Sequence, residues 1–268
     1  MRRSRTASCV SAFLLACACA FAGPVKAPAA SAGAALDYVA LGDSYSAGVG
    51  AGNYVGADRS CFRSNRAYPV LWAAAHASSF SFAACNGAQT DDVLEGQLGT
   101  LGPGTDLVTL SVGGSDSGYA AVMAICVLPG SGACLSAVAR AHTYIDGTLP
   151  GNLDRLYTAI RGRAPAARVV VLGYPHFYQP HGTCQGGLHD AERAALNDAV
   201  DHLDRVIARQ AAAHGFTFAD PRRAFTGHEI CSVSPWLRSV NWMNLTESYH
   251  PTASGQADGY LPLLADAL

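Results

Sequence analysis

Residues 37–48 read Asp37-Tyr38-Val39-Ala40-Leu41-Gly42-Asp43-Ser44-Tyr45-Ser46-Ala47-Gly48. A short apolar run that ends at a glycine and passes straight into small polar residues is a buried strand with a sharp exit. Working outward, four more runs have this character: 79–84 (SFSFAA), 106–112 (DLVTLSV), 168–173 (RVVVLG) and 216–220 (FTFAD). Helical patterns separate them. Residues 67–77 form one, with Pro69 tolerated near its first turn. Residues 90–98 form another, with Thr90 as cap and Asp91 and Asp92 in the first turn, where acids suit the helix dipole. Residues 188–214 form a long amphipathic helix: Leu196, Ala199, Val200, Leu203, Val206 and Ile207 share one stripe, and His214-Gly215 ends it. A last helix runs from Thr252, interrupted near Pro262. The segment 115–150 is loop-rich, either a lid-like insertion or helical decoration.

Strands alternating with helices imply βαβ units and a parallel sheet covered on both faces. With no internal repeat and no linker, the expectation is an α/β single domain over residues 33–268. It is a three-layer α/β/α sandwich on a five-stranded parallel sheet.

Residues 1–32 are of another kind. Met1 to Thr6 is basic, and Ala7 to Ala22 is apolar but shorter than the ~20 residues a bilayer span needs. Ala20-Phe21-Ala22 and Ala30-Ser31-Ala32 both fit a small-x-small cleavage site. The expectation is a secretory signal peptide and a secreted, extracellular protein with no transmembrane segment once the leader is removed. An uncleaved anchor, or a lipoprotein signal at Leu14-Leu15-Ala16-Cys17, is the alternative.

Charged residues make up 14% of the 268, well below the usual ~25%, which argues against disorder and against a coiled coil. Beyond residue 32 there are 14 Arg, no Lys and 20 acidic residues. That balance leaves no basic face for nucleic acid. It also excludes Schiff-base chemistry and a P-loop lysine.

Of nine cysteines, Cys9, Cys17 and Cys19 lie in the leader. The remaining Cys61, Cys85, Cys126, Cys134, Cys184 and Cys231 suggest three disulfides. Sequential pairing (61–85, 126–134, 184–231) closes the shortest loops and is favoured. The first pair would brace the loop carrying Gly87, and the third would tie the region after the fourth strand to the segment before His250. No Cys-x-x-Cys occurs and the histidines are scattered, so no metal is expected.

In parallel sheets, ligands bind at the carboxyl ends of the strands. After the first strand comes Gly42-Asp43-Ser44, after the second Cys85-Asn86-Gly87-Ala88, and after the third Gly113-Gly114-Ser115-Asp116. Glu247-Ser248-Tyr249-His250-Pro251 precedes the last helix. Each block alone is an ordinary turn; their joint order carries the information.

In that order the chain resembles the GDSL, or SGNH, hydrolases, esterases and lipases on a flavodoxin-like fold. Gly42-Asp43-Ser44 matches the nucleophile block, Gly87 the second block, residues 113–116 the third and His250 the fourth. The resemblance spans residues ~37–268. Six cysteines, the alanine-rich sequence and the Tyr45-Ser46-Ala47-Gly48 continuation are similar to the secreted actinobacterial lipase branch.

Ester hydrolysis needs a nucleophile, a base and donors to the oxyanion. Ser44 supplies the first and His250 the second. The N–H groups of Ser44 and Gly87 would supply two donors. The resemblance makes Asp43 structural and not the triad acid. It also implies a secreted serine esterase or lipase on acyl lipid esters, including phospholipase A1 action, with no cofactor and as a monomer. Alternatives are a carbohydrate deacetylase or short-chain esterase, since Trp236 and Trp242 lie near the His250 block, or a non-catalytic secreted binding protein on the same fold.

Two departures from the family pattern stand out. Ser115 occupies the position of an asparagine whose amide would be the third oxyanion donor. Glu247 stands three residues before His250, where many members have aspartate, so either Glu247 or the backbone carbonyl of Ser248 orients the imidazole. His176, after the fourth strand, is a candidate cleft residue, whereas His142, His189, His202 and His214 fall on helical stretches and read as surface residues. Tyr119, Val122, Met123, Ile125, Val127 and Leu128 are either an acyl groove above Ser44 or packing under a loop.

Overall fold

The structure, a computed structural model, describes residues 36–56, 59–127, 131–184 and 187–268. The leader and Leu128 lie outside the described residues.

The five apolar runs become strands β1 (Asp37–Gly42), β2 (Ser79–Phe82), β3 (Leu107–Ser111), β4 (Arg168–Leu172) and β5 (Thr217–Ala219). All pair in parallel, in the order β2-β1-β3-β4-β5. The central strands β1, β3 and β4 are buried along nearly their whole length, as a sheet covered on both faces requires. The edge strands β2 and β5 are short and partly exposed, which limits edge-to-edge pairing.

Helices follow as α1 (Ser44–Ala47), α2 (Tyr68–His76), α3 (Thr90–Asp92), α4 (Tyr119–Cys126), α5 (Ser131–Gly147), α6 (Leu149–Arg163), α7 (Asp190–Ala213) and α8 (Leu261–Asp266). Parallel crossovers are right-handed, so the connection that steps outward from β1 to β2 lies on one face and those stepping from β3 toward β5 lie on the other. Accordingly α2 packs with α8, and α6 packs with α3, α5 and α7. The strand order reverses beside β1, which puts the end of β1 at the switch point where such sheets bind ligands.

Two helices differ from the sequence reading, and a third region takes one of the two forms it allowed. The helix expected over 90–98 is capped by Gln89, not Thr90: the Asp92 carboxylate accepts from the Gln89 N–H at 2.9 Å. It passes into a π-helical turn over Val93–Gln97, in a stretch weakened by Gly96 and Gly99. The segment 115–150 resolves as helical decoration, α4 and α5, joined by the Cys126–Cys134 disulfide. Helix α6 was not anticipated; its Pro150-Gly151 start masks an apolar stripe of Leu149, Leu153, Leu156, Tyr157 and Ile160, all buried. The other two disulfides are Cys61–Cys85 and Cys184–Cys231, so the pairing is sequential.

Candidate active site

The turn out of β1 is built by Asp43. It caps α1, accepting from the Tyr45 N–H at 3.0 Å. The same carboxylate accepts from the Ser111 hydroxyl at 2.6 Å and from the Tyr174 hydroxyl, which tie it to the ends of β3 and β4. Burial raises its pKa to about 6 against the pull of these donors. Gln97 brackets the turn from the other side, its amide meeting the N–H and C=O of Gly42 at 2.7 and 2.9 Å. Ser44 is therefore the first residue of a short helix clamped at both ends. It lies at the N-terminal end of that helix, where the peptide dipoles favour developing negative charge.

His250 comes from the other end of the chain. Its Nε2 lies 2.7 Å from the Ser44 Oγ, across 206 positions of sequence. Its Nδ1 lies 2.9 Å from the carbonyl oxygen of Ser248. A carbonyl can only accept, so the neutral ring carries its proton on Nδ1 and leaves the Nε2 lone pair for the serine hydroxyl. Burial is the main influence on the ring and pushes its pKa down to about 4; the Ser248 and Thr246 carbonyls oppose this. At neutral pH the imidazole is uncharged and able to take a proton.

The loop behind His250 is held in a strained shape. Tyr249 has φ +64°, a left-handed conformation that costs a side-chain-bearing residue about 1–2 kcal/mol. Its carbonyl accepts from the Tyr45 hydroxyl at 2.7 Å, and its own hydroxyl pairs with that of Tyr178 at 2.8 Å. This fold-back aims the Ser248 carbonyl at the imidazole. Backbone hydrogen bonds between Arg238 and both Tyr249 and His250, each 2.9 Å, brace the same residues.

Glu247 is not on the imidazole. One carboxylate oxygen accepts from the Tyr54 hydroxyl at 2.6 Å, and the other lies 3.5 Å from Arg238 Nε. The 3₁₀ turn Leu245–Glu247 carries its side chain to this outer position, so of the two alternatives only the Ser248 carbonyl meets the ring.

Ser44 and His250 share a cleft of about 570 Å³ with Asn86, Gly87 and Ser115. Gly87 has φ +76°, and no atom of the protein lies within 4 Å of where its Cβ would be. Its backbone thus faces the cleft unshielded. The second and third blocks are bolted together: Asp116 accepts from the Thr90 N–H at 3.1 Å and from the Thr90 hydroxyl at 2.5 Å. The Asn86 N–H donates to the Cys61 carbonyl at 3.0 Å, and the Cys61–Cys85 bridge lies beside the Gly87 loop.

The walls are apolar and uncharged. One bank is α4, through Tyr119, Ala120, Met123, Ala124 and Val127; the other is Val240, Trp242 and Leu245. A narrower cavity of about 60 Å³ opens from Ser44 and Ser115 beneath α4, between Val122, Ile145, Leu196 and Val200. Of the expected groove residues, Ile125 lines neither space. Trp236 is turned away, stacked on His228 at 3.6 Å. His176 is not in the cleft either: it binds Asp201 at 2.9 Å, beside Arg222. His142, His202 and His214 are partly buried, with His202 and His214 on Asp146 and Asp154 at 2.8 and 2.9 Å.

The sequence assigns no role to Tyr45, Gln97, Tyr174 or Tyr249. Tyr174 directly follows β4 and was within reach of the strand-end rule; the others carry no local signal.

Comparison with known proteins agrees with this geometry. The sequence profile of the GDSL-like Lipase/Acylhydrolase family matches residues 40–257. Lipase 1 of Streptomyces coelicolor is 56% identical over 268 residues, covering 100% of both chains. The crystal structure of an extracellular lipase from Streptomyces rimosus aligns with a TM-score of 0.85 at 54% identity, covering 87% of this chain and 100% of that one. That of phospholipase A1 from Streptomyces albidoflavus aligns with a TM-score of 0.86 at 52% identity, covering 88% and 100%. With a profile match over most of its length and relatives of this closeness, the chain belongs to the GDSL-like lipase/acylhydrolase family.

Proposed function

We propose that this carboxylic ester hydrolase cleaves acyl esters of lipids through a serine–histidine pair, Ser44 and His250. The observation that carries this reading is the 2.7 Å contact between Ser44 Oγ and a neutral, buried His250, at the floor of an apolar cleft. As Oγ attacks the ester carbon, its proton passes to Nε2. The tetrahedral oxyanion is held by the N–H groups of Ser44 and Gly87, with the Ser115 hydroxyl as third donor. Collapse of that intermediate sends the proton from Nε2 to the departing alcohol oxygen and leaves an acyl-serine. Water then repeats the sequence: it gives its proton to Nε2, its oxygen joins the acyl carbon, and Ser44 Oγ leaves with the proton. The Ser248 carbonyl stabilises the transient imidazolium in place of a carboxylate.

The uncharged walls favour a fatty acyl chain over a sugar, whose hydroxyls would find few partners there. The relatives named lipase and phospholipase A1 point the same way. The proposal extends to a monomer of residues 33–268, secreted after removal of residues 1–32. The extracellular description of the S. rimosus relative supports secretion. So does the finding that, among the described residues, no helix is long and apolar enough to cross a membrane.

The test is hydrolysis of nitrophenyl esters of increasing acyl length, together with covalent labelling by an organophosphate. Turnover favouring medium or long chains, with labelling lost in Ser44→Ala, is the expected result. Preference for acetyl esters would move the assignment to a deacetylase. Absence of turnover and labelling in folded, oxidised protein would leave a binding role.

A further inference from the structure

Among the described residues, six large apolar side chains are exposed, and three of them fall within four positions: Trp242 (69% exposed), Met243 (95%) and Leu245 (61%). They project from a loop whose eight residues, Ser239 to Thr246, carry no charge. The flanking charges are turned on each other, since Arg238 Nε lies 3.5 Å from the Glu247 carboxylate. Asn241 holds the loop's internal hydrogen bonds. The Asn241 carboxamide accepts from the Met243 N–H at 3.1 Å, and the Asn241 carbonyl accepts from the Asn244 N–H at 3.0 Å. The Asn241 N–H donates to the Ser248 hydroxyl at 2.8 Å. Asn241 and Asn244 are half-buried while the apolar side chains between and beyond them face outward.

This distribution is the reverse of what water selects. A loop that ties back part of its own backbone and presents tryptophan, methionine and leucine outward gains by burying those side chains in a low-dielectric medium. Clustered exposed apolar groups mark interaction surfaces, and tryptophan suits the boundary between lipid headgroups and acyl chains. Trp242 and Leu245 also line the cleft that holds Ser44, and the facing bank of Ala120, Ala124 and Val127 is likewise uncharged. The exposed patch is thus continuous with the cleft mouth.

We infer that the 240–245 loop docks the enzyme on a lipid surface. Trp242, Met243 and Leu245 enter the headgroup–acyl boundary of an uncharged or zwitterionic lipid layer and set the cleft mouth against the layer from which the ester is drawn. This rests on the lipid-ester reading above. Lacking charge, the patch binds without help from anionic lipid, and its affinity is insensitive to salt.

The experiment uses the leader-free protein, residues 33–268, carrying Ser44→Ala, so that lipid is not consumed, and phosphatidylcholine vesicles as the probe. Partitioning is read by sedimentation and by the emission of Trp242; Trp72 is buried and Trp236 is stacked on His228. The expected result is a blue shift on adding vesicles, with partitioning unchanged within about twofold between low and high salt. Adding Met243→Asp weakens partitioning by about tenfold or more. Met243 does not line the cleft, so Met243→Asp in the active enzyme leaves turnover of a monomeric short-chain nitrophenyl ester within about twofold of the parent.

Unchanged emission and sedimentation with vesicles, equal partitioning of the Met243→Asp chain, or a blue shift on soluble polysaccharide in place of vesicles would each overturn docking, whatever the turnover of the monomeric ester. Vesicle binding by a parent chain that fails to hydrolyse the monomeric ester would uphold docking and remove the ester reading instead.

Discussion

The Nδ1 of His250 is bound by the carbonyl of Ser248, two residues before it in the chain, and not by the carboxylate of Glu247. In the proposed mechanism the orienting group is backbone, and no side-chain substitution can delete it. Glu247 instead joins Tyr54 and Arg238 on the outer side of the loop.

It follows that Glu247→Ala lowers kcat by less than about tenfold, far short of the ~10⁴ that accompanies loss of a group setting the histidine tautomer. Steady-state kinetics on a short-chain ester decide this. A drop of several orders of magnitude, with the fold intact by circular dichroism, would return the carboxylate to the mechanism.

The pH profile carries the sign of the His250 shift. In the proposed mechanism the neutral ring is the base, and burial holds its pKa down at about 4. Activity therefore persists as pH falls below the ordinary histidine value near 6.5 and declines only on approaching pH 4. The check is kcat/KM against pH, with far-UV circular dichroism confirming that the chain stays folded. An acidic limb centred at pH 6.5 or above contradicts the buried, neutral assignment.

Ser115 offers a gain-of-function test. Its hydroxyl is shorter than the amide that relatives of the family pattern place there. A full oxyanion donor is worth about 10²–10³ in rate, and a hydroxyl of shorter reach realises only part of that. Ser115→Asn is expected to raise kcat severalfold on a simple ester, measured under saturating substrate. No gain, or a loss, would mean that the ground around Ser44 has adapted to serine.

Tyr174 joins two of the blocks: its hydroxyl donates to Asp43 and accepts from the Gly114 N–H at 3.1 Å. Tyr174→Phe leaves the Gly114 N–H and one oxygen of the buried Asp43 carboxylate without this partner, at a cost of about 1–3 kcal/mol. Chemical denaturation should show that loss, and kcat should fall with it because both the Ser44 turn and the Ser115 turn shift.

Reduction of the Cys61–Cys85 bridge, which spans 24 positions, removes about 3 kcal/mol of stability on the loop-entropy view. Because the bridge sits beside the Gly87 loop, Cys61→Ala/Cys85→Ala should lose melting temperature and activity together. Full activity in a less stable protein would show that the brace does not reach the cleft.

Much of this was legible in the chain because parallel sheets present ligand-binding residues at strand ends, and Ser44, Gly87 and Ser115 all follow strands. The sheet itself was visible as five apolar runs, with ends misplaced by a residue or two where pairing frays. What stayed hidden depends on distance. Tyr45 reaches Tyr249 across 204 positions and Gln97 reaches Gly42 across 55, and no local pattern announces such bonds. The choice between Glu247 and Ser248 was likewise closed to sequence, because both can approach the ring. The contact of the Ser248 carbonyl with the ring goes with the positive φ of Tyr249, and sequence does not encode that angle in any readable way.

The 206 positions between Ser44 and His250 impose a timetable on the protein's power to do harm. Until the C-terminal segment has folded back onto the first strand, the serine has no partner to draw off its proton. On the proposed mechanism, a chain still emerging from the ribosome carries no working hydrolase. The order of synthesis supplies that latency.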